Sequence, residues 1–304
     1  MTMTRPDDLA TDLVPETTAA PAVRDAIEAA GAAARRAGVH VRQLDSNAQF
    51  AQVSALFEVI WRPDGTSLPV TGELLRALTK AGGYVGGAYD GDELVGACMG
   101  FFAPPAQRAM HSHIAGVSPR MRGRNVGFAL KVHQRAWSLA HETTEISWTF
   151  DPLVRRNAYF NLSKLAATPA EYLANFYGPM NDRINGSDDT DRLLVSWDLA
   201  SDQVAAASGG RHPLADAEAA RAAHATIAVG ESPTGAPVVR RVHGPTVLVA
   251  VPSDIEALRA EQPRAAAGWR TAVRDALGGM LADGARIRGF DRSGYYIVDR
   301  EGSS

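Results

Sequence analysis

Apolar residues recur at helical spacing between Asn47 and Trp61, where Phe50, Val53, Leu56, Phe57 and Ile60 fall on one side of a 3.6-residue period. The same spacing groups Leu74, Leu75 and Leu78 in a second helix over 71–81, and Pro63-Asp-Gly breaks the chain between the two. A short strand is predicted to begin at Val39. Residues 1–19 are polar and Thr/Pro-rich, whereas Pro21 to Gly38 is Ala-rich and reads as a helix with little apolar stripe to bury. Both stretches are expected to be peripheral.

After Ala81 the pattern changes to strands. Runs at Tyr84 to Tyr89 and Leu94 to Phe102 flank Asp90-Gly91-Asp92, and an Asp-Gly pair between two apolar runs is a strong hairpin signal. A strand at Met110 to Val117 follows, then a basic loop and a helix from about Asn125 to His141. The order continues with a strand at Glu145 to Phe150, a helix at about Arg155 to Leu165, and strands near Tyr172 and at Arg192 to Leu199. A central sheet covered by helices is the economical way to bury these faces. Beyond Ala200 come an Ala/Ser/Gly linker, a polar helix candidate, and strand-like runs at Val238 to Val242 and Pro245 to Val251. Ser253-Asp-Ile-Glu resembles a capping box, a helix is expected from about Arg264 to Leu281, and strands at Arg286 to Phe290 and Tyr295 to Val298 close the chain.

Composition narrows the function classes. The chain has 304 residues, 45% of them hydrophobic and 21% charged, with a formal charge of -3. That balance argues against a nucleic acid or an anionic membrane as a partner held by bulk charge. The longest apolar stretches, Leu94 to Pro104 and Thr246 to Pro252, fall short of the roughly 20 residues a spanning helix needs. Met1 to Asp8 does not read as a secretory leader, so a soluble cytoplasmic protein is expected. One cysteine, Cys98, excludes an internal disulfide and a multi-cysteine zinc site. It is expected to be a buried, inert thiol. Three lysines, Lys80, Lys131 and Lys164, stand against 28 arginines, an imbalance that reflects genomic base composition and carries no functional weight.

The segment richest in chemistry runs from His111 to Lys131, where a strand enters a basic, Gly-containing turn and a helix starts at once. Orphan amide hydrogens at the helix start, the helix dipole and Arg120, Arg122 and Arg124 together suit a pyrophosphate. Gly123 and Gly127 let the backbone approach closely.

This turn resembles the acyl-CoA motif of the GNAT superfamily of N-acetyltransferases, Arg/Gln-x-x-Gly-x-Gly/Ala after a strand, which here stands as Arg122-Gly-Arg-Asn125-Val-Gly127. Asn125 occupies the place of the first motif glycine, and Asn is the non-Gly residue best able to adopt a left-handed backbone. The order of elements from about Val39 to Leu199 is similar to that of the superfamily. Thr149-Phe-Asp-Pro-Leu, Arg156-Asn-Ala-Tyr-Phe-Asn-Leu, Asn175-Phe-Tyr-Gly and Asp191-Arg-Leu-Leu-Val-Ser-Trp look like a subfamily of such proteins without an assigned substrate. Trp269-Arg and Gly294-Tyr-Tyr extend that similarity toward the C-terminus.

The resemblance implies an α/β fold: a mixed, mostly antiparallel central sheet with a splayed strand pair, Met110 to Val117 and Glu145 to Phe150, flanked by helices. It implies an N-terminal extension at 1–37, an acyl-CoA-binding domain at 38–200 and a smaller C-terminal α+β domain or extension at 201–304. Acetyl-CoA or another acyl-CoA would be co-substrate, its pantetheine arm bonded by the backbone of Val117 and its pyrophosphate by Arg122, Gly123, Arg124, Asn125, Val126 and Gly127. No metal is expected. A small-molecule amine would be the acceptor, attacking directly in a ternary complex, and a homodimer stays open.

His113 lies four residues before Val117, near where several members place a carboxylate, and an imidazole suits proton transfer near neutrality. His111 shares its strand face, which makes a metal pair conceivable, but no third ligand is evident. Leu162 stands where members often carry the tyrosine that protonates the thiolate. Tyr159, one helical turn earlier, is its candidate replacement or a packing residue. Asn157 either reaches the pantetheine amides or opens its helix, and Asp151 reads as a helix-start cap. Competing readings are a non-catalytic acyl-CoA-binding regulator, an O-acylating enzyme and an acyl-CoA decarboxylase.

Overall fold

The computed structural model describes residues 20–61, 70–178 and 188–300. The Pro63-Asp-Gly break and the polar 1–19 stretch lie outside them. Two compact units form, each discontinuous in sequence: Met1–Trp148 with Trp197–Arg211, and Thr149–Ser196 with His212–Ser304.

In the first unit, helix α1 (Pro21–Ala37) leads into β1 (His40–Gln43), α2 (Asn47–Trp61) and α3 (Gly72–Lys80). Next come β2 (Tyr84–Asp90), β3 (Glu93–Phe102), β4 (Ala109–Val117), α4 (Val126–Ala140) and β5 (Glu145–Phe150). The predicted hairpin forms: β2 and β3 pair antiparallel from Tyr84↔Gly100 to Asp90↔Glu93, with Gly91 at φ +61° in the turn. Leu44, Phe50, Val53, Phe57, Leu75, Val85 and Met99 form the buried core beside α2 and α3. Helix α4 is buried along most of its length, and at Gly96 a Cβ would stand 3.0 Å from Leu130, so the missing side chain admits the helix against β3.

The Ala-rich N-terminal helix is not peripheral. Ala26, Ala30, Ala33, Ala34 and Ala37 are buried, and α1 packs against α4. A face of small residues lets two helices approach closely, so burial is achieved without the large apolar stripe that hydropathy looks for. Gly38, at φ +65°, ends α1 in the left-handed conformation that favours glycine.

The second unit holds α5 (Arg155–Ala158), β6 (Thr168–Leu173) and most of β7 (Arg192–Asp198). The Arg155–Leu165 helix of the sequence reading is α-helical only to Ala158; Tyr159–Lys164 form a π-helical turn. After α6 (Asp202–Ser208), which belongs to the first unit, come α7 (Ala217–Ala222), β8 (Thr226–Glu231), β9 (Pro237–Val239), β10 (Thr246–Ala250) and α8 (Ile255–Glu261). Asp254, not Ser253, caps α8 by accepting from the Ala257 amide at 3.0 Å. The helix expected at 264–281 is α9 (Pro263–Val273), a π-helical turn at Arg274–Gly278 and α10 (Gly279–Ala282). Strands β11 (Arg286–Asp291) and β12 (Tyr295–Asp299) pair antiparallel.

Two sheets result, seven strands in the order β1-β2-β3-β4-β5-β7-β6 and five in the order β11-β12-β10-β8-β9. In the larger sheet the β1–β2, β2–β3, β3–β4 and β6–β7 pairs run antiparallel, and β4 and β5 run parallel. It is therefore the mixed, mostly antiparallel sheet flanked by helices that the resemblance implies. Among the described residues, no helix is long and apolar enough to cross a membrane.

Asp151 organises the second unit. It does not cap the Arg155 helix as expected, since Val154 is that helix's N-cap and no side chain caps it; instead Asp151 accepts from the Leu153 amide at 2.9 Å, and its carboxylate is gripped bidentately by Arg270 (2.9 and 2.9 Å) and by Arg259 (2.6 Å). Asp188 bonds the same two guanidinium groups. Burial alone would raise the Asp151 pKa, but the two arginines bring it to about 2. A carboxylate depressed in the folded state stabilises it above its unfolded pKa, and that stability is lost as pH falls. Asp151→Asn should cost about 3 kcal/mol in urea unfolding, because it leaves two buried guanidinium groups to share the single Asp188 carboxylate. In the wild type that contribution should fade between about pH 4 and pH 2, and a variant with unchanged stability would contradict the assignment.

Candidate functional site

Strand β4 carries the site because its two edges differ. On one side it pairs with β3 along its whole length, from Gly96↔Val117 to Phe102↔Met110. On the other, the parallel register with β5 covers only Ala109↔Glu145, Met110↔Ile146 and His111↔Ser147. Past His111 this edge of β4 runs on to Val117 outside that ladder.

A β-bulge falls at the same place. Met99 opposes Ile114 while Gly100 opposes Ser112, so His113 is the extra residue on β4. His111, His113 and Phe101 sit together, with ring centroids 5.3 Å (Phe101 to His111), 5.9 Å (Phe101 to His113) and 6.1 Å (between the imidazoles) apart. The shared face predicted for the two histidines is thus present. Burial lowers the pKa of both, and for His111 the charges of His113 and Lys131 lower it further. Near neutral pH both rings are accordingly proton acceptors. Among the described residues no group of three or more His, Cys, Asp or Glu is placed to hold a metal ion.

Where β4 ends, Pro119–Met121 make a single 3-10 turn, Gly123 takes φ +80° and Asn125 takes φ +59° and ψ 24°. Asn125 therefore stands in the left-handed conformation expected of it, immediately before α4, and its carbonyl accepts from the Ala129 amide at 3.1 Å. The first amides of α4, beginning at Val126 and Gly127, are those without an intrahelical acceptor. A Cβ on Gly127 would be 3.7 Å from the Val117 side chain, so strand end and helix start are in contact.

The three arginines of the turn divide. Arg120 pairs with Glu93 at 2.9 Å, and Arg124 pairs with Asp90 at 3.3 Å while donating to the Gly38 carbonyl at 3.4 Å. Both are tied to the β2–β3 turn, and Arg124 also to the end of α1. Arg122 is exposed and makes no ion pair among the described residues. Sequence reading treated the three alike because it could not see the Asp90 and Glu93 carboxylates beneath two of them.

Asn157 and Tyr159 belong to the second unit. Asn157 is half-buried in α5, its amide bonded to the Val154 carbonyl at 2.9 Å, as a helix-opening residue would be. The Tyr159 hydroxyl accepts from Arg292 Nε at 2.7 Å, and the guanidinium lies 4.9 Å from its ring centre. Arg292 carries no sequence signal linking it to a residue 133 positions away. Cys98 is buried and burial pushes its thiol up to about 11, in keeping with an inert core thiol.

Sequence reading missed Lys131. This lysine of α4 is buried, donates to Gln134 Oε1 at 2.8 Å and to Ser112 Oγ at 3.0 Å, and lies 3.8 Å from the Trp148 ring centre. Burial pulls its amine down to about 7. A lone lysine among Phe128, Ala129, Leu130 and Val132 is the signal that could have found it.

Against known proteins, no family model and no curated relative matches the chain. Solved structures to which it is similar include an N-acetyltransferase from Staphylococcus aureus, with 14% identity, 53% of this chain and 98% of that one covered, and a TM-score of 0.43. An acetyltransferase of the GNAT family from Streptococcus pneumoniae shows 12% identity over 52% of this chain and 98% of its own, at 0.43. A GNAT family acetyltransferase from Elizabethkingia anophelis with acetyl-CoA bound shows 13% identity over 53% and 98%, at 0.39.

Both imidazoles should titrate below the ordinary 6.5 when followed by NMR. The sign follows from their burial: protonation is easier in the unfolded chain, so the two histidines favour the folded state less as pH falls through 6.5. Titration of either ring at or above 6.5 would contradict the packing described.

Proposed function

We propose that this chain binds an acyl-CoA along the free edge of β4 and transfers the acyl group, acetyl in the first instance, to the amine of a small molecule by direct attack in a ternary complex. The observation that carries this reading is the left-handed Asn125 at the junction of β4 and α4, which starts α4 directly beside the stretch of β4 that runs on past its three-pair ladder with β5. A diphosphate fits such a helix start on charge and hydrogen bonding alike. Arg122 adds a free guanidinium to it, and the main chain of Val117 offers hydrogen bonds to the pantetheine amides. These residues all lie in the first unit, and the reading rests on them without Asn157 or Tyr159.

Acyl transfer to nitrogen needs a neutral amine and a polarised carbonyl. The bulge supplies a place for both. Its extra residue takes the main chain of β4 out of regular register, and a backbone amide there would donate to the thioester oxygen as negative charge develops. His113, on the bulge and neutral near pH 7, takes the proton that the attacking nitrogen gives up. Phe101 and His111 form the adjoining wall against which an acceptor would rest.

Calorimetry with CoA and a thiol-release assay with acetyl-CoA and a panel of amines test the reading. Arg122→Glu should weaken CoA binding at least tenfold by reversing charge at the phosphates, whereas unchanged affinity would remove the site. His113→Gln should lower kcat by about 10² to 10⁴ while leaving the KM for acetyl-CoA near its original value. No amine-dependent thiol release from any acceptor would overturn the transferase assignment.

A further inference from the structure

We infer that Lys131 is the acid that protonates the departing CoA thiolate. This rests on the acyl-CoA reading above and deepens it.

The argument begins with where the amine sits. The last pair of the β4–β5 ladder is His111↔Ser147. The next residue on β4 is Ser112 and the next on β5 is Trp148, and these two are the groups that Lys131 Nζ touches, at 3.0 Å from the hydroxyl oxygen and 3.8 Å from the ring centre. Trp197, with its centre 5.4 Å away, is a further wall. Lys131 therefore marks the point at which the two strands part. A pantetheine arm entering beside Val117 and following β4 toward the bulge travels five residues to Ser112, roughly 15 Å at the usual rise of a strand. That is about the reach of an extended arm, so the thioester sulfur arrives at the amine while its carbonyl carbon lies beside His113.

The chemistry of the amine fits the task. Its hydrogen-bond partners are a hydroxyl and an amide oxygen rather than a carboxylate, which leaves its charge uncompensated by a fixed anion. Ser112 Oγ donates its own hydrogen bond to Gln134 Oε1 at 3.0 Å, so the triad is oriented around the lysine. The titratable groups whose charge it feels or perturbs are Cys98 on β3 and His111 on β4. Burial brings the amine to about 7, and a buried ammonium of that acidity gives up a proton readily and gains most from an anion formed next to it.

The step balances. The acceptor nitrogen attacks the thioester carbon and a C–N bond forms; the nitrogen's proton passes to His113. As the tetrahedral intermediate collapses the C–S bond breaks, its electron pair stays on sulfur, and the ammonium of Lys131 transfers one proton to the thiolate. The products are the amide and CoA thiol, with His113 carrying one proton more and Lys131 one fewer until both exchange with solvent.

The test uses the full chain and CoA itself, following thiolate absorbance of bound CoA against pH. In the wild type the bound thiol should ionise at least one pH unit below free CoA, because an ammonium faces it, and in Lys131→Met that shift should vanish. With acetyl-CoA and an accepted amine, Lys131→Met should lose kcat about 100-fold with KM for acetyl-CoA within twofold, and its kcat profile should lose the alkaline limb. Should the variant fail to fold, the wild-type titration decides alone. Bound CoA whose thiol titrates as in free solution, or a folded variant with undiminished kcat, overturns the role of Lys131 and leaves the acyl-CoA site standing. Failure of CoA to bind the wild type overturns both.

Discussion

Strand β4 can serve a ligand because its parallel ladder with β5 is broken off after three residue pairs. Backbone polar groups in a sheet interior are normally paired, and a run of them left along one edge is costly unless water or a ligand takes their place. The bulge at His113 falls next to the last pair, so strand separation and strand distortion coincide. One local departure from regular pairing thereby creates an open edge, a main chain out of regular register and a change in which side chains face α2 and α3.

What surrounds that departure is held firmly. Arg120 and Arg124 pin the turn after β4 to Asp90 and Glu93, and α4 is clamped between the sheet and the alanine face of α1. Two of the three arginines that look like ligand contacts are thus spent on keeping the helix start in place, which leaves Arg122 for an incoming anion. Preorganisation of this kind means that amides are aimed before the ligand arrives, and binding need not order the loop.

Much of this was legible in the sequence wherever one residue type dictates one local geometry. Asp90-Gly91 announced the hairpin, Asn125 announced a left-handed residue before a helix, and the basic turn between strand and helix marked an anion site. The rest depends on partners distant in the chain. The packing of α1 escaped notice because alanine buries little area per residue, yet a row of them lets helices touch. The π-helical turns at Tyr159–Lys164 and Arg274–Gly278 leave no periodicity of their own in so few residues. Lys131 was passed over since nothing adjacent reveals that Ser112 and Trp148 close over it, and the Arg292 contact to Tyr159 spans most of the second unit's sequence. A linear division at 38–200 and 201–304 likewise gives no sign that Trp197–Arg211 returns to the first unit.

The central claim is that the Gly123 amide and those of the first turn of α4 grip a diphosphate beside an open strand edge. Amide hydrogen exchange, read residue by residue with and without saturating CoA, tests it most directly. The account predicts strong slowing confined to 123–128 and to the β4 residues 112–117, with the β2–β3 hairpin unchanged. Equal exchange in those two segments with and without CoA would contradict it.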